Sequence, residues 1–195
     1  MKNIAVFVSG GGTNLQALLD AEKRGEIENG KITLVVASKE GVYALERAKN
    51  AGVKSAVINR KQLGESFDAA LIALLEENKI DLIVLAGYLS ILSPDFTKRY
   101  DRKIINVHPS LIPSFCGAGF YGLKVHQAAL AKGVKVTGAT VHFVNEIPDG
   151  GEIILQKAVE IQTGDTPEIL QKRVMEQAEW KLLPRAVSLF CQGKL

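Results

Sequence analysis

Short β-branched runs that alternate with segments of helical period constrain this chain more than any other feature. Residues 4–8, 32–37, 55–58 and 81–85 read as strands. Between them lie stretches of helical spacing, such as 14–23 with Leu15, Leu18 and Leu19 inward, and Phe67, Ala70, Leu71, Leu74 and Leu75 at intervals of three and four. A strand followed by a helix and then another strand returns the chain in the same direction, so the strands align in parallel and the helices cover both faces. The expected fold is α/β: a doubly wound, mostly parallel, Rossmann-like sheet.

The second half departs from that rhythm. A fifth strand begins at Ile104 and Ile105 and is expected to end at Asn106, because Pro109, Pro113, Gly117, Gly119 and Gly122 then exclude regular structure and leave a long loop. Between 134 and 161 the period becomes two. Thr140, Val141, His142, Phe143 and Val144 on one side, and Ile153, Ile154 and Leu155 on the other, flank an Asp149-Gly150-Gly151 turn. These predict two adjacent strands, an antiparallel addition to the sheet. Thr166 then caps a closing helix with Pro167 at its first position; Leu170, Val174, Ala178 and Leu182 recur every four residues, and Pro184 predicts a bend.

A chain of 195 residues, 47% apolar, is long enough for one sizeable core, so a single domain over 1–195 is expected, with its two halves meeting near residue 100. The net charge of +3 comes from scattered basic residues rather than a stripe, which argues against a nucleic-acid partner. Cys116 and Cys191 lie far apart without a CxxC spacing, so neither a metal site nor a disulfide framework is indicated, and a reducing cytoplasm is the expected location. The opening apolar run reads as a first strand rather than a signal segment, and no run approaches the ~20 residues needed to span a bilayer. One core explains the apolar pattern equally well for a monomer or a homodimer.

Two places carry chemistry. Ser9-Gly10-Gly11-Gly12-Thr13-Asn14 falls where the first strand hands over to a helix, a junction whose unpaired amides and helix dipole suit a phosphate. It lacks the third glycine of a dinucleotide fingerprint, Leu15 standing in that place, and no Lys-Ser/Thr follows to make a nucleotide P-loop. Phosphate esters of small metabolites fit better. The second place is Asn106-Val107-His108, at the carboxyl end of the fifth strand, where doubly wound sheets bind ligands. If strand geometry persists through Val107, a carboxamide and an imidazole face one space; one can hold an oxyanion while the other moves a proton. Taken singly, His126 in a helix and His142 in a strand are core histidines by default, and Asp149 is a turn-former.

Together, SGGGTNLQ at 9–16, LAGYLSILSP at 85–94, INVHPSLIPSF at 105–115 and HFVNEIPDGGEIILQ at 142–156 closely resemble the glycinamide ribonucleotide transformylases, folate-dependent formyltransferases of purine synthesis. The resemblance spans nearly the whole chain and implies Asn106, His108 and Asp149 as catalytic residues. It implies 10-formyltetrahydrofolate as the one-carbon donor, glycinamide ribonucleotide as the acceptor, and no metal. It places the substrate phosphate at Gly11, Gly12, Thr13 and Asn14, and makes Glu179 a substrate-binding residue. The pterin is expected against Leu89, Ser90, Ile91 and Leu92 and the loop Asn145, Glu146, Ile147 and Pro148. Residues 1–100 then form a phosphate-binding half and 101–195 a catalytic and folate-binding half. A carboxylate favours imidazolium, so Asp149 is expected to raise the pKa of His108.

Four places in the chain, five residues in all, depart from the family pattern. Cys116 stands where a proline is common, Gly119-Phe120 where a histidine-containing stretch is usual, and Ser90 and Gly64 where arginines often meet the folate tail. Arg60 or Lys61 is expected to compensate. Methionyl-tRNA formyltransferases and formyltetrahydrofolate hydrolases resemble the same domain, but in longer chains with an accessory tRNA-binding or regulatory domain, and the glycine loop favours a phosphorylated acceptor over water. A silent sensor of a phosphorylated metabolite is the alternative of a different class; it has no use for an amide, an imidazole and a carboxylate set beyond a strand end.

Overall fold

The computed structural model describes residues 1–195. Seven strands, β1 (Lys2–Val8), β2 (Gly30–Ala37), β3 (Lys54–Val57), β4 (Leu82–Leu85), β5 (Ile104–His108), β6 (Val136–Phe143) and β7 (Ile153–Glu160), form one sheet in the order β3-β2-β1-β4-β5-β6-β7. β1 to β5 are parallel, and β6 and β7 extend the sheet antiparallel. The order runs outward from β1 in one direction through β2 and β3, then resumes on its other side with β4. That reversal opens a crevice at the carboxyl ends of β1 and β4, the place where such sheets hold ligands.

Side-chain alternation divides the core between the two faces. Ile4, Val6 and Val8 of β1 join the larger cluster, under α1 (Thr13–Lys23), α2 (Tyr43–Asn50), α7 (Pro167–Val174) and α8 (Trp180–Cys191). Ala5 and Phe7 join the smaller one, with Phe67, Leu71 and Leu75 of α4 (Phe67–Glu77) and Phe96 of α5 (Pro94–Arg99). Large side chains of this kind, with relative exposure near zero, each contribute about 1.5–3 kcal/mol of burial free energy. Two further helices, α3 (Arg60–Leu63) and α6 (Leu123–Lys132), border the site region.

Three local features differ from the sequence reading. β5 continues two residues past Asn106: β4 stops pairing at Leu85↔Asn106, but β6 carries the ladder on through Val107↔Val141 and His108↔Thr140. A partner strand distant in sequence supplies the hydrogen bonds that Pro109 ends only later. The closing helix is interrupted before Pro184 rather than at it, by a π turn over Met175–Glu179. The wider backbone thus precedes the proline, whose ring crowds the carbonyl four residues back. His142, read as a core histidine, lies in the site.

Candidate active site

On β5, Ile105 and Val107 point into the larger core, which leaves Asn106 and His108 on the opposite face. Asn106 sits directly across from His142 of β6. His142 Nδ1 lies 2.7 Å from the Phe143 carbonyl oxygen, which can only accept, so Nδ1 carries the proton and Nε2 of the neutral ring is a lone pair. Asn106 faces that lone pair through Nδ2 at 3.1 Å and donates to it. One cross-strand pair therefore settles both the imidazole tautomer and the amide orientation.

The turn after β6 brings the carboxylate. Asp149 takes a left-handed backbone (φ 55°), which Asp tolerates better than most residues. Asn145 Oδ1 accepts from the Ile147 amide at 3.0 Å to start the turn. At Gly151 any Cβ would collide with the Phe143 carbonyl, so the Asp-Gly-Gly sequence folds back tightly over β6. Asp149 Oδ2 accepts from the Gly117 amide at 2.8 Å and lies 3.4 Å from His108 Nδ1. Its Oδ1 lies 3.5 Å from Asn106 Nδ2 and 3.6 Å from His142 Nε2. Residues from β5, β6, the Asp-Gly-Gly turn and the long loop thus converge on one carboxylate with 14% side-chain exposure.

Burial alone pushes the Asp149 carboxyl upward, but the neighbouring His142 ring, the Gly117 hydrogen bond and the His108 ring outweigh it and hold the pKa below the ordinary range. His108 Nε2 is 2.8 Å from the Phe115 carbonyl oxygen, so Nε2–H donates there and Nδ1 is left toward the carboxylate. Asp149 does pull the pKa of His108 upward, as expected, but it does not set the net direction. Burial, the largest effect, holds that pKa below the ordinary histidine range, and the upward pull of Asp149 and the Phe115 carbonyl does not overcome it. Near neutrality the pair is a carboxylate beside a neutral imidazole whose free nitrogen is a proton acceptor.

The long loop from Pro109 to Gly122 is tied to the sheet at both sides of its bend. Thr140 Oγ1 donates to the Ser110 carbonyl at 2.7 Å and accepts from the Ile112 amide at 3.1 Å, and Asp149 holds Gly117. Cys116, beside that contact, is partly exposed, and burial pushes its thiol upward. His126 of α6 is fully buried, and burial takes its pKa down to about 4, so it is neutral and outside the constellation.

A cavity of about 160 Å³ opens beside Asn106, His142 and Asp149. Its walls include Leu89, Ser90, Ile91 and Leu92 from the β4 side and Asn145, Glu146, Ile147 and Pro148 from the turn, the two segments expected to take the pterin. The segment after β4 is fixed by Ser9 Oγ, which accepts from the Leu89 amide at 2.9 Å. Next to it, sharing Leu89 and Ser90, lies a second cavity of about 380 Å³ with Lys39, Asn59, Arg60 and Lys61 on its walls. A larger cavity, about 690 Å³, follows the α1–α2 groove toward Met1 and Gly30, with Arg47 on its wall and none of the residues the sequence singled out for chemistry. Size there reflects an open surface groove.

Gly11, Gly12, Thr13, Asn14 and Glu179 form a separate group at the carboxyl end of β1. The amides from Gly10 to Leu15 find no backbone acceptor, as the start of a helix requires. The π turn aims buried Glu179 at this loop, where its Oε2 accepts from Asn14 Nδ2 at 2.7 Å, and Thr13 Oγ1 reaches Met175 Sδ at 3.7 Å. Burial raises the Glu179 pKa to about 7, against the lowering effect of Asn14. The Asn14 Oδ1 atom is buried without a partner. Sequence reasoning missed His142, although Thr140-x-His142 repeats on β6 the polar alternation of Asn106-x-His108 on β5.

Fold and site together define an α/β enzyme domain with its polar constellation beyond the carboxyl ends of a doubly wound sheet. The formyl transferase family matches residues 2–187, and the chain belongs to that family. It is 44% identical over its whole length to the phosphoribosylglycinamide formyltransferase of Haemophilus influenzae, covering 90% of that protein. It is 46% identical over 97% of its length to the trifunctional purine biosynthetic protein adenosine-3 of Gallus gallus, but spans only 18% of that much longer chain. Among solved structures, glycinamide ribonucleotide transformylase 1 from Symbiobacterium toebii superposes with a TM-score of 0.91 at 40% identity, over 99% of this chain and 89% of that one. A formyltetrahydrofolate deformylase from Pseudomonas syringae has the same fold, with a TM-score of 0.87 at 27% identity over 98% of this chain and 62% of its own. No helix is long and apolar enough to cross a membrane.

Proposed function

We propose that this chain transfers the formyl group of 10-formyltetrahydrofolate to the amine of glycinamide ribonucleotide, giving formylglycinamide ribonucleotide and tetrahydrofolate. The observation that carries the proposal is the convergence of Asn106, His108 and His142 on Asp149, at the mouth of a cavity walled by both pterin segments. The pterin lies in that cavity against Leu89 to Leu92 and Asn145 to Pro148. The phosphate of the acceptor binds the amides of Gly11, Gly12, Thr13 and Asn14, and Glu179 is a further substrate-binding residue beside that loop. These two groups of residues are the binding sites; Asn106, His108 and Asp149 are the catalytic residues.

The amine attacks the formyl carbon, a C–N bond forms, and the formyl oxygen becomes an oxyanion. Asn106 uses one amide proton on His142 and turns the other, held only loosely by Asp149 at 3.5 Å, toward that oxygen. A preorganised donor of this kind is worth roughly 3–4 kcal/mol of barrier. His108 Nδ1, neutral and facing Asp149, takes the proton released by the attacking nitrogen, and the carboxylate stabilises the imidazolium so formed. The same proton passes to the folate nitrogen as its bond to the formyl carbon breaks, so His108 ends neutral. The acceptor gains the formyl group, tetrahydrofolate departs with the proton, and no other reactant is consumed.

The test is turnover with both substrates for the wild type, His108→Ala and Asp149→Ala. Each substitution is expected to lower kcat by at least about a hundredfold with KM largely preserved. Near-normal turnover in either variant removes that residue from the mechanism, and binding without turnover in the wild type favours a sensor.

A further inference from the structure

Helix α2 grips the glycine loop by its carbonyls. The Ala44 amide donates to the Gly10 carbonyl at 3.2 Å, and Arg47 donates through Nε to the Gly11 carbonyl at 2.8 Å. The same guanidinium donates through Nη1 to Gln16 Oε1 of α1 at 2.9 Å and lies 4.9 Å over the Tyr43 ring. Three separate contacts on a planar, permanently charged group leave it little freedom.

In a trans peptide unit the C=O and the N–H point in opposite directions. The Gly10 carbonyl and the Gly11 amide belong to one unit, and the Gly11 carbonyl and the Gly12 amide to the next. With both carbonyls drawn toward α2, both amides face away from it, and neither meets a backbone acceptor. The close approach depends on glycine at position 12: its φ is 73°, and a Cβ there would lie 2.7 Å from Ala44 Cβ.

We infer that Arg47 is a positioning residue of the anion site, which sets the Gly11–Gly12 peptide plane so that the Gly12 amide is aimed at the substrate phosphate. It acts through Gly11 and places a fixed positive charge behind the loop. This rests on the glycine loop being the phosphate site. A brace that only packed α2 against α1 would be served by the Gln16 contact alone; the bond to the Gly11 carbonyl is what couples α2 to the amides.

The test uses the full chain with inorganic phosphate as the probe, titrated by calorimetry, together with steady-state kinetics. Arg47→Met keeps the length and apolar stem but removes every donor; Arg47→Lys keeps the charge but places its donors on a single nitrogen, without the planar fork. Phosphate affinity is expected to fall about tenfold in Arg47→Met, the scale of one charge-assisted hydrogen bond, and less in Arg47→Lys. KM for glycinamide ribonucleotide should rise in step, while KM for formylfolate stays within about twofold. A folded Arg47→Met with phosphate affinity and nucleotide KM within twofold of wild type overturns the inference. If Arg47→Met does not fold, unchanged values in Arg47→Lys overturn it instead. Weaker phosphate binding in a protein without formyl transfer leaves the inference standing and ends the proposed reaction. A wild type that binds no phosphate ends both.

Discussion

Replacing His142 by alanine removes the acceptor that orients the Asn106 amide. The pair is a 3.1 Å hydrogen bond between facing residues of β5 and β6, with His142 1% exposed. Without it the carboxamide oxygen and nitrogen exchange places at similar cost, which halves the competent population. The lost bond adds about 1 kcal/mol of orientation that must then be supplied during reaction. The expected total is about 1–2 kcal/mol, roughly a five- to thirtyfold fall in kcat with KM nearly unchanged. Deleting the donor itself, in Asn106→Ala, sets the ceiling at about a hundred- to a thousandfold. The assay is kcat at saturation of both substrates for the two single variants and the double variant. If His142 works through Asn106, its removal from the Asn106→Ala background costs far less than from the wild type. A kcat for His142→Ala within twofold of wild type, or losses that simply multiply, refutes the reasoning.

Three further outcomes are expected. Because His108 must be neutral to accept a proton and burial holds its pKa below the ordinary range, turnover should stay level from pH 8 toward 6.5 and fall only below that, protonation removing the base; an acid limb centred above about pH 7 contradicts this. Glu179, with a folded pKa near 7, binds a proton that the unfolded chain has released, so stability is greatest below the unfolded carboxyl value and declines as pH rises through 7. Melting temperatures from pH 5 to 8 should show that decline in the wild type and its attenuation in Glu179→Gln; parallel curves disprove it. Lys39, Arg60 and Lys61 line the cavity next to the proposed pterin slot, so Arg60→Ala with Lys61→Ala should raise KM for polyglutamylated formylfolate more than for the monoglutamate, and equal, unchanged values exclude the compensation.

The parallel part of the sheet was legible because each strand is a short run with its own covering helix, a pattern local enough to survive without tertiary context. The pairing of β6 with β7 was legible from a period of two around Asp149-Gly150-Gly151. Where β5 ends was not, since its last hydrogen bonds come from Val141 and Thr140, more than thirty positions away by the numbering of the pair His108↔Thr140. Asn106 and His108 could be paired by alternation alone, but joining them to His142 requires knowing that β6 lies antiparallel beside β5. The pull of Asp149 on His108 was legible because a charge partner can be named from a motif, whereas the depth of burial that outweighs it belongs to the packed molecule. Arg47 gave no signal, as a lone basic residue on a helix is ordinarily a solvated one.

The π turn over Met175–Glu179 fits one more residue into the closing helix than an α turn would. On one side of it Leu170 and Val174 are packed into the core, and on the other Leu182, Leu183, Ala186 and Val187 are too. An α-helix advances about 100° per residue, so shortening this turn by one position would throw the two seated stretches out of phase by that angle. One stretch would have to lift from the sheet, or Glu179 would swing off Asn14. Length variation in this helix is thereby tied to the proposed acceptor side of the site, although the turn is remote in sequence from Asn106 and His108.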